Sequence, residues 1–161
     1  MEKVFADVML AKLARWLRLA GVPVQDAPHA DDAKLLTYVG KQSGVLLTSD
    51  TSLFERAKKR GVRALFIRQE RLEKQIALAS NGIGVRIRNS PANICPVCNS
   101  RLVRIGRERA SRAVPEISYK RYRLFYLCRK CRKAYWHGTH WKRIKSRLSI
   151  AKRMSERINA R

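Results

Sequence analysis

All four cysteines of the chain lie in two CxxC pairs, Cys95–Cys98 and Cys128–Cys131, separated by 29 residues. Each short turn can direct two sulfurs at one point, and two such turns form a tetrahedral thiolate site for zinc. Disulfides are the weaker explanation in a cytosolic protein, and neither pair follows the first strand of a βαβ unit as a redox motif would. Four thiolates saturate zinc, so this ion is expected to fold a small module and to leave no open position for chemistry.

Three aspartates, Asp7, Asp32 and Asp50, form a second candidate site. Asp7 and Asp50 each follow an apolar segment that is typical of a strand, and Asp32 begins the helix between them. Carboxylates gathered at one edge of a sheet repel one another unless a divalent cation lies between them, and oxygen ligands select magnesium or manganese. Such an ion activates water and stabilises charge on a phosphate. The alternative is that Asp32 only caps a helix and Asp50 only a turn.

The charge of the chain is strongly basic, +24 at pH 7. Residues 1–94 hold 16 Lys and Arg against 9 Asp and Glu, whereas residues 95–161 hold 20 against 3, a net charge of +17. A polyanion relieves that self-repulsion by releasing its own counterions, so nucleic acid is the expected partner. An anionic membrane is disfavoured because no amphipathic helix has a bulky aromatic face.

Basic and aromatic residues supply the candidate RNA contacts. Near the second CxxC pair, rings among cations suit unpaired bases, which stack on flat side chains. The alternatives are that the tryptophans form the small core of the zinc module and that His137 or His140 ligates metal. On the first helix, three cations fall away from the apolar face. The candidates are Lys12, Arg15, Arg18, Arg129, Lys130, Trp136, His137, His140, Trp141, Lys142 and Arg143.

Apolar patterns predict the elements that position these residues. Strands and helices alternate through about residue 80, which is typical of a parallel sheet covered by helices. We expect a strand and helix over 4–21 with Gly21 as the stop, a second strand over 22–25 kept at the sheet edge by Pro23, and a strand over 45–48 buried on both faces. Further helices are expected near 32–43, 51–60 and 70–80, and strands at 63–67, 83–88, 102–105 and 122–127.

The predicted organisation is an α/β domain over 1–90, a zinc ribbon over 91–141 and a basic helical tail over 142–161. The tail has a thin apolar stripe, which can dock on the protein or become ordered only against a partner. Residues 89–93 are expected to be the linker. No apolar run has the ~20 residues of a membrane span, and the amino terminus lacks a signal peptide, so we expect a cytoplasmic protein.

The combination of motifs resembles the Mut7-C family, PIN-like ribonuclease domains with a carboxy-terminal zinc ribbon. The similar segments are Asp7 with MLAKLARWLRLAG, Asp31-Asp32, LLTSD ending at Asp50, CxxCN and CxxCxxxYWHGTHW. The resemblance implies a PIN-like α/β fold and a magnesium- or manganese-dependent RNA-cleaving site. Asp7, Asp32 and Asp50 would be its metal ligands, with Asp31 a possible substitute.

Some features depart from the family pattern. Relatives often carry an acid soon after the first helix, where this chain has Pro23, and another acid shortly after the position of Asp50. Two functions are therefore considered. One is a metal-dependent endoribonuclease acting on structured RNA such as tRNA or rRNA. The other is a non-catalytic RNA- or ribosome-binding protein on a degenerate PIN-like fold.

Overall fold

A parallel four-stranded sheet forms the first half of the protein. The computed structural model describes residues 2–88 and 93–160. The strand order is β2-β1-β3-β4, and every neighbouring pair is parallel. Because the chain moves from one side of β1 to the other after β2, the carboxyl ends of β1 and β3 lie at the point where the strand order reverses. The strands are β1 (Val4–Ala6), β2 (Val24–Asp26), β3 (Val45–Thr48) and β4 (Ala64–Phe66).

Helices cover both faces of this sheet. A short 3-10 helix (Val8–Leu10) leads into the first α-helix, and Gly21 ends that segment with a φ of +88°. Side chains of β1 and β3 alternate between two cores: Val45 and Leu47 pack on one face and Leu46 on the other. The helices are α1 (Ala11–Leu19), α2 (Asp32–Lys41), α3 (Thr51–Lys59) and α4 (Leu72–Gly82), with α1 and α4 on the first face and α2 and α3 on the second.

The second half contains a three-stranded antiparallel sheet of order β5-β6-β7. Two short helices are inserted between its first two strands, and Ala110 and Tyr119 from them pack with Phe125, which is fully buried. The cysteines and Leu102 form a separate small cluster. The elements are β5 (Leu102–Ile105), α5 (Arg107–Ser111), α6 (Glu116–Arg121), β6 (Phe125–Cys128) and β7 (Ala134–Trp136).

The basic tail is the longest helix of the protein, α7 (His140–Asn159), and it docks on the α/β half. Leu148 and Ala151 are fully buried in the same core as α1 and α4. The Asn81 amide at the end of α4 donates to the backbone oxygen of Ser155 at 3.1 Å, and Arg147 pairs with Glu73 at 3.3 Å. The apolar stripe of the tail therefore completes a core of the protein itself.

The structure confirms the predicted fold class: a parallel sheet flanked by helices, a small second sheet with a four-cysteine cluster, and a helical tail. The predicted strand over 83–88 was wrong, because these residues form a turn and an extended segment without sheet pairing in the described chain. The predicted linker falls mostly on residues 89–92, which lie outside the described residues. Within residues 2–88 and 93–160, no helix combines the length and hydropathy needed to span a bilayer.

Candidate functional site

The four cysteines meet at one point between the two CxxC turns. Their sulfurs all lie within 4.8 Å of one another, with Cys98 Sγ 3.3 Å from Cys128 Sγ and Cys95 Sγ 3.6 Å from Cys131 Sγ. Four thiolates at 2.3 Å from zinc in a tetrahedron would be about 3.8 Å apart, so the arrangement fits that ion. The 3.3 and 3.6 Å distances between sulfurs are well above the ~2.05 Å of a disulfide bond, so the spacing fits metal binding and not a disulfide framework.

The environment of these thiols favours a cation between them. Burial raises the pKa of Cys128 to about 12. Burial acts in the same direction on Cys98, but hydrogen bonds from the Ser100 hydroxyl and backbone outweigh it and lower the pKa of Cys98 to about 6. Cys98 therefore loses its proton readily, whereas deprotonation of the neighbouring Cys128 is disfavoured. A bound cation would compensate for deprotonation of the whole set.

The first CxxC turn is attached to the edge of the parallel sheet by Arg18. This side chain is 2% exposed, and its Nε donates to the Val24 oxygen at 2.8 Å. The guanidinium also donates to the backbone oxygens of Pro96 at 3.3 Å and Val97 at 3.0 Å, and to Asp26 at 2.7 Å. The expectation that Arg18 lies on an RNA-facing surface was wrong, because its side chain is buried and its N–H groups already donate to these acceptors.

Asn99 completes this attachment. It follows directly after Cys98 with a φ of +61°, and its side-chain oxygen accepts a hydrogen bond at 3.1 Å from the Val24 N–H. That N–H lies on the outer strand of the sheet, which would otherwise present an unpaired donor. The first CxxC turn thus covers the sheet edge.

Asp7 and Asp50 lie at the carboxyl ends of β1 and β3 and are connected through Thr48. The Thr48 hydroxyl donates to Asp7 Oδ2 at 2.9 Å and accepts a hydrogen bond from the Asp50 N–H at 3.0 Å. Asp7 is 6% exposed, and among the described residues its Oδ1 has only a long contact of 3.5 Å with the Met9 N–H. Asp50 Oδ1 caps α3 by accepting from the Leu53 N–H at 2.9 Å. We call this group of Asp7, Thr48 and Asp50 the acidic edge.

The aspartates of α2 have other partners. Asp31 caps α2 by accepting from the Lys34 N–H at 2.8 Å, and Asp32 pairs with Arg56 of α3 at 2.7 Å. Within residues 2–88 and 93–160, the cysteines are the only group of three or more Cys, His, Asp or Glu side chains whose ligand atoms all lie within 4.8 Å. Joint metal binding by Asp7, Asp32 and Asp50 stays a prediction.

The remaining predicted RNA contacts lie at or near the surface. Six cations and His140 are exposed, whereas Trp136, His137 and Trp141 are half-buried. His137 lies between two rings, with its centroid 5.8 Å from Tyr126 and 4.8 Å from Trp141. Burial, followed by the charges of His140 and Lys145, lowers the pKa of His137 and favours its neutral form. The exposed cations are Lys12, Arg15, Arg129, Lys130, Lys142 and Arg143.

A family model described as the Mut7-C RNAse domain matches residues 2–148. The chain belongs to the Mut7-C family. This match includes both the α/β half and the cysteine cluster, and it extends into α7, so it confirms the family expected from the motifs. It indicates a ribonuclease-like function and RNA as the class of partner. Searches of curated proteins and of solved structures found no match.

Sequence reasoning missed three residues of these sites. Thr48 connects the acids, Arg56 neutralises Asp32, and Asn99 binds the sheet edge. Thr48 is separated by one residue from Asp50, a spacing that suits a hydroxyl-to-backbone turn, and Asn99 follows CPVC where a residue with positive φ is common. Arg56 gave no such signal, because its pairing with Asp32 depends on how α2 and α3 pack.

Proposed function

We propose that this Mut7-C protein is a metal-dependent endoribonuclease whose acidic edge holds a magnesium or manganese ion. The observation that supports this most strongly is the hydrogen-bonded connection of Asp7 to Asp50 through Thr48. It brings two carboxylates from separate strands to the point where the strand order reverses, which is where open α/β sheets bind ligands.

The donor set at the acidic edge fits a hard cation. Each carboxylate has one oxygen in a hydrogen bond shorter than 3 Å, and its other oxygen has no such bond within the described chain. The Ser49 hydroxyl, between Thr48 and Asp50, is buried and has no partner there either. Oxygen ligands alone favour magnesium or manganese over zinc.

Each group at the edge would have a definite part in cleavage. A bound divalent ion would supply Lewis-acid activation of water and charge stabilisation on the phosphate. Asp7 and Asp50 would hold it, and Asp32 would join them after exchanging Arg56 for the ion. The released Arg56 and the amino termini of α2 and α3 would favour the negative phosphate at this edge.

The second half would supply RNA affinity. We assign cleavage to residues 1–90, and RNA binding to the ribbon over 91–141 and the tail over 142–161. Arg129, Lys130, Lys142 and Arg143 are exposed and would neutralise phosphates without reading sequence, as suits structured RNA such as tRNA or rRNA.

The test is cleavage of labelled tRNA and rRNA fragments with magnesium, manganese or EDTA. Asp7→Asn and Asp50→Asn should each lower the rate at least 100-fold, because each removes a charged ligand. Glu55→Gln is the matched control, since it removes an exposed charge from α3 and should cleave like wild type. Cleavage that continues in EDTA would refute the proposed enzyme. So would cleavage by both aspartate variants at the wild-type rate.

A second candidate is a non-catalytic RNA-binding protein on the same fold. The Asp32–Arg56 pair favours it, because Asp32 is then already neutralised and the edge is left with two acids. In that case Arg56→Ala would create no metal-dependent activity. The wild-type protein would bind RNA with a steep salt dependence and leave it intact.

A further inference from the structure

A cavity of about 310 Å³ lies where α1, the first CxxC turn and the beginning of α7 meet. Its volume is at the lower end of the range for small-molecule sites, which is about 300–1,000 Å³. Arg15 and Leu19 of α1 line one side, Pro96 and Val97 another, and Trp141 and Ile144 of α7 a third. The cavity is therefore built from all three parts of the protein.

Aromatic rings form one wall of this cavity. Tyr126, His137 and Trp141 follow one another at centroid distances of 5.8 and 4.8 Å, with interplanar angles of 50° and 41°. His137 and Trp141 are only half-buried, so ring surface is available to a ligand. Flat rings of this kind stack on a nucleobase whatever its sequence.

Cations contribute to the lining of this apolar cavity. Arg15 and Lys133 are exposed and line it, and none of the described lining residues is acidic. Within residues 2–88 and 93–160, neither Arg15 nor Lys133 has a carboxylate within 4.0 Å. A largely apolar cavity with unpaired cations among its lining residues matches a nucleotide, whose ring is apolar on its faces and whose phosphates are anionic.

We infer that this cavity binds one unpaired base of the RNA substrate. The inference rests on the proposed function for the identity of the ligand. Helix α1 connects the two sites, because it begins four residues after Asp7 and presents Arg15 and Leu19 to the cavity. The nine residues of α1 span about 12 Å. A base held in the cavity therefore sets the position of the strand relative to the acidic edge, and cleavage occurs at a fixed distance from an unpaired nucleotide.

The test separates base binding from cleavage. The protein carries Asp7→Asn, and EDTA is present. Single-stranded oligoribonucleotides of one length contain one abasic position, moved along the strand. We expect one position at which the missing base weakens binding roughly 5- to 150-fold, the range for loss of a stacked base. Trp141→Ala should remove this penalty, whereas Trp16→Phe, outside the cavity, should keep it.

Two further measurements keep the test independent of protein stability. A 2-aminopurine placed at the sensitive position should lose fluorescence on binding to protein with an unaltered cavity. Lys133→Gln should weaken all strands alike and reduce the salt slope by about one, while the abasic penalty remains. Either result supports the assignment.

Equal affinity for intact and abasic strands at every position would overturn the base pocket. So would tighter binding to anionic phospholipid vesicles than to RNA. Neither outcome depends on catalysis: a protein that never cleaves can still show the abasic penalty, and an active nuclease can lack it.

Discussion

Replacement of Arg18 by Met tests whether the first CxxC turn is part of the α/β fold. Methionine keeps the apolar stem and removes the guanidinium, which donates to the Val24, Pro96 and Val97 carbonyls and to Asp26. Asp26 is 59% exposed and regains water when its partner is lost. The cost therefore comes mainly from the three carbonyl oxygens.

The expected loss of stability is about 2.5–6 kcal/mol. The buried bond to the Val24 oxygen involves a charged donor and contributes about 1.5–3 kcal/mol, and the two half-buried bonds contribute about 0.5–1.5 kcal/mol each. For a chain of this size, 1 kcal/mol corresponds to about 2–4 °C in Tm. Arg18→Met should therefore melt roughly 5–24 °C below wild type.

Thermal unfolding followed by circular dichroism measures this shift, with zinc content determined on the same samples. Arg15→Met is the matched control, because Arg15 is exposed and lies one turn earlier on the same helix. The control should stay within about 0.5 kcal/mol of wild type. If Arg18→Met melts within 2 °C of wild type with its zinc retained, the connecting role of Arg18 is refuted.

Three further predictions concern α7, His137 and the zinc cage. Leu148→Ala should destabilise the protein by about 2–5 kcal/mol because it opens a cavity in a core shared with α1 and α4. Arg153→Ala, at an exposed position of the same helix, should not. Urea unfolding of both variants measures the difference. His137 has a lowered pKa, so the unfolded chain takes up its proton first and stability should fall below about pH 6.5. His137→Gln should flatten that dependence between pH 5.5 and 7.5 in thermal melts. Cys95→Ser should abolish stoichiometric zinc binding, measured by elemental analysis. It should also remove the protection of β6 amides from hydrogen exchange, while the amides of the parallel sheet stay protected. An unchanged zinc content would contradict zinc binding by the four cysteines.

Local signals in the sequence predicted much of this structure. The CxxC spacing predicted that the four cysteines meet at one point, because each pair needs only one tight turn to bring its sulfurs together. The apolar run from Val45 to Leu47 predicted a strand covered on both faces, and both faces of β3 are buried. Pro23 predicted an edge position for the strand beside it, and β2 lies at the sheet edge.

Features that depend on packing between distant segments were not predictable in the same way. The segment 83–88 is apolar enough for a strand. Instead of pairing with the sheet, it returns to the end of α1, where the Arg88 N–H donates to the Ala20 oxygen at 3.0 Å. Arg18 has the composition of a surface residue, and only the arrival of Pro96 and Val97 explains its burial. The role of the thin apolar stripe on α7 likewise depends on its packing against the core that contains α4. The pairing of Asp32 with Arg56 depends on the contact between α2 and α3.

Crystals soaked in manganese test the central claim most directly, through anomalous scattering at a wavelength that distinguishes manganese from zinc. The account predicts a manganese peak at the acidic edge within about 2.2 Å of one oxygen each from Asp7 and Asp50. It also predicts a zinc peak among the four cysteines. Zinc at the cysteines with no manganese at the acidic edge, in crystals whose edge is open to solvent, would contradict a metal-dependent nuclease.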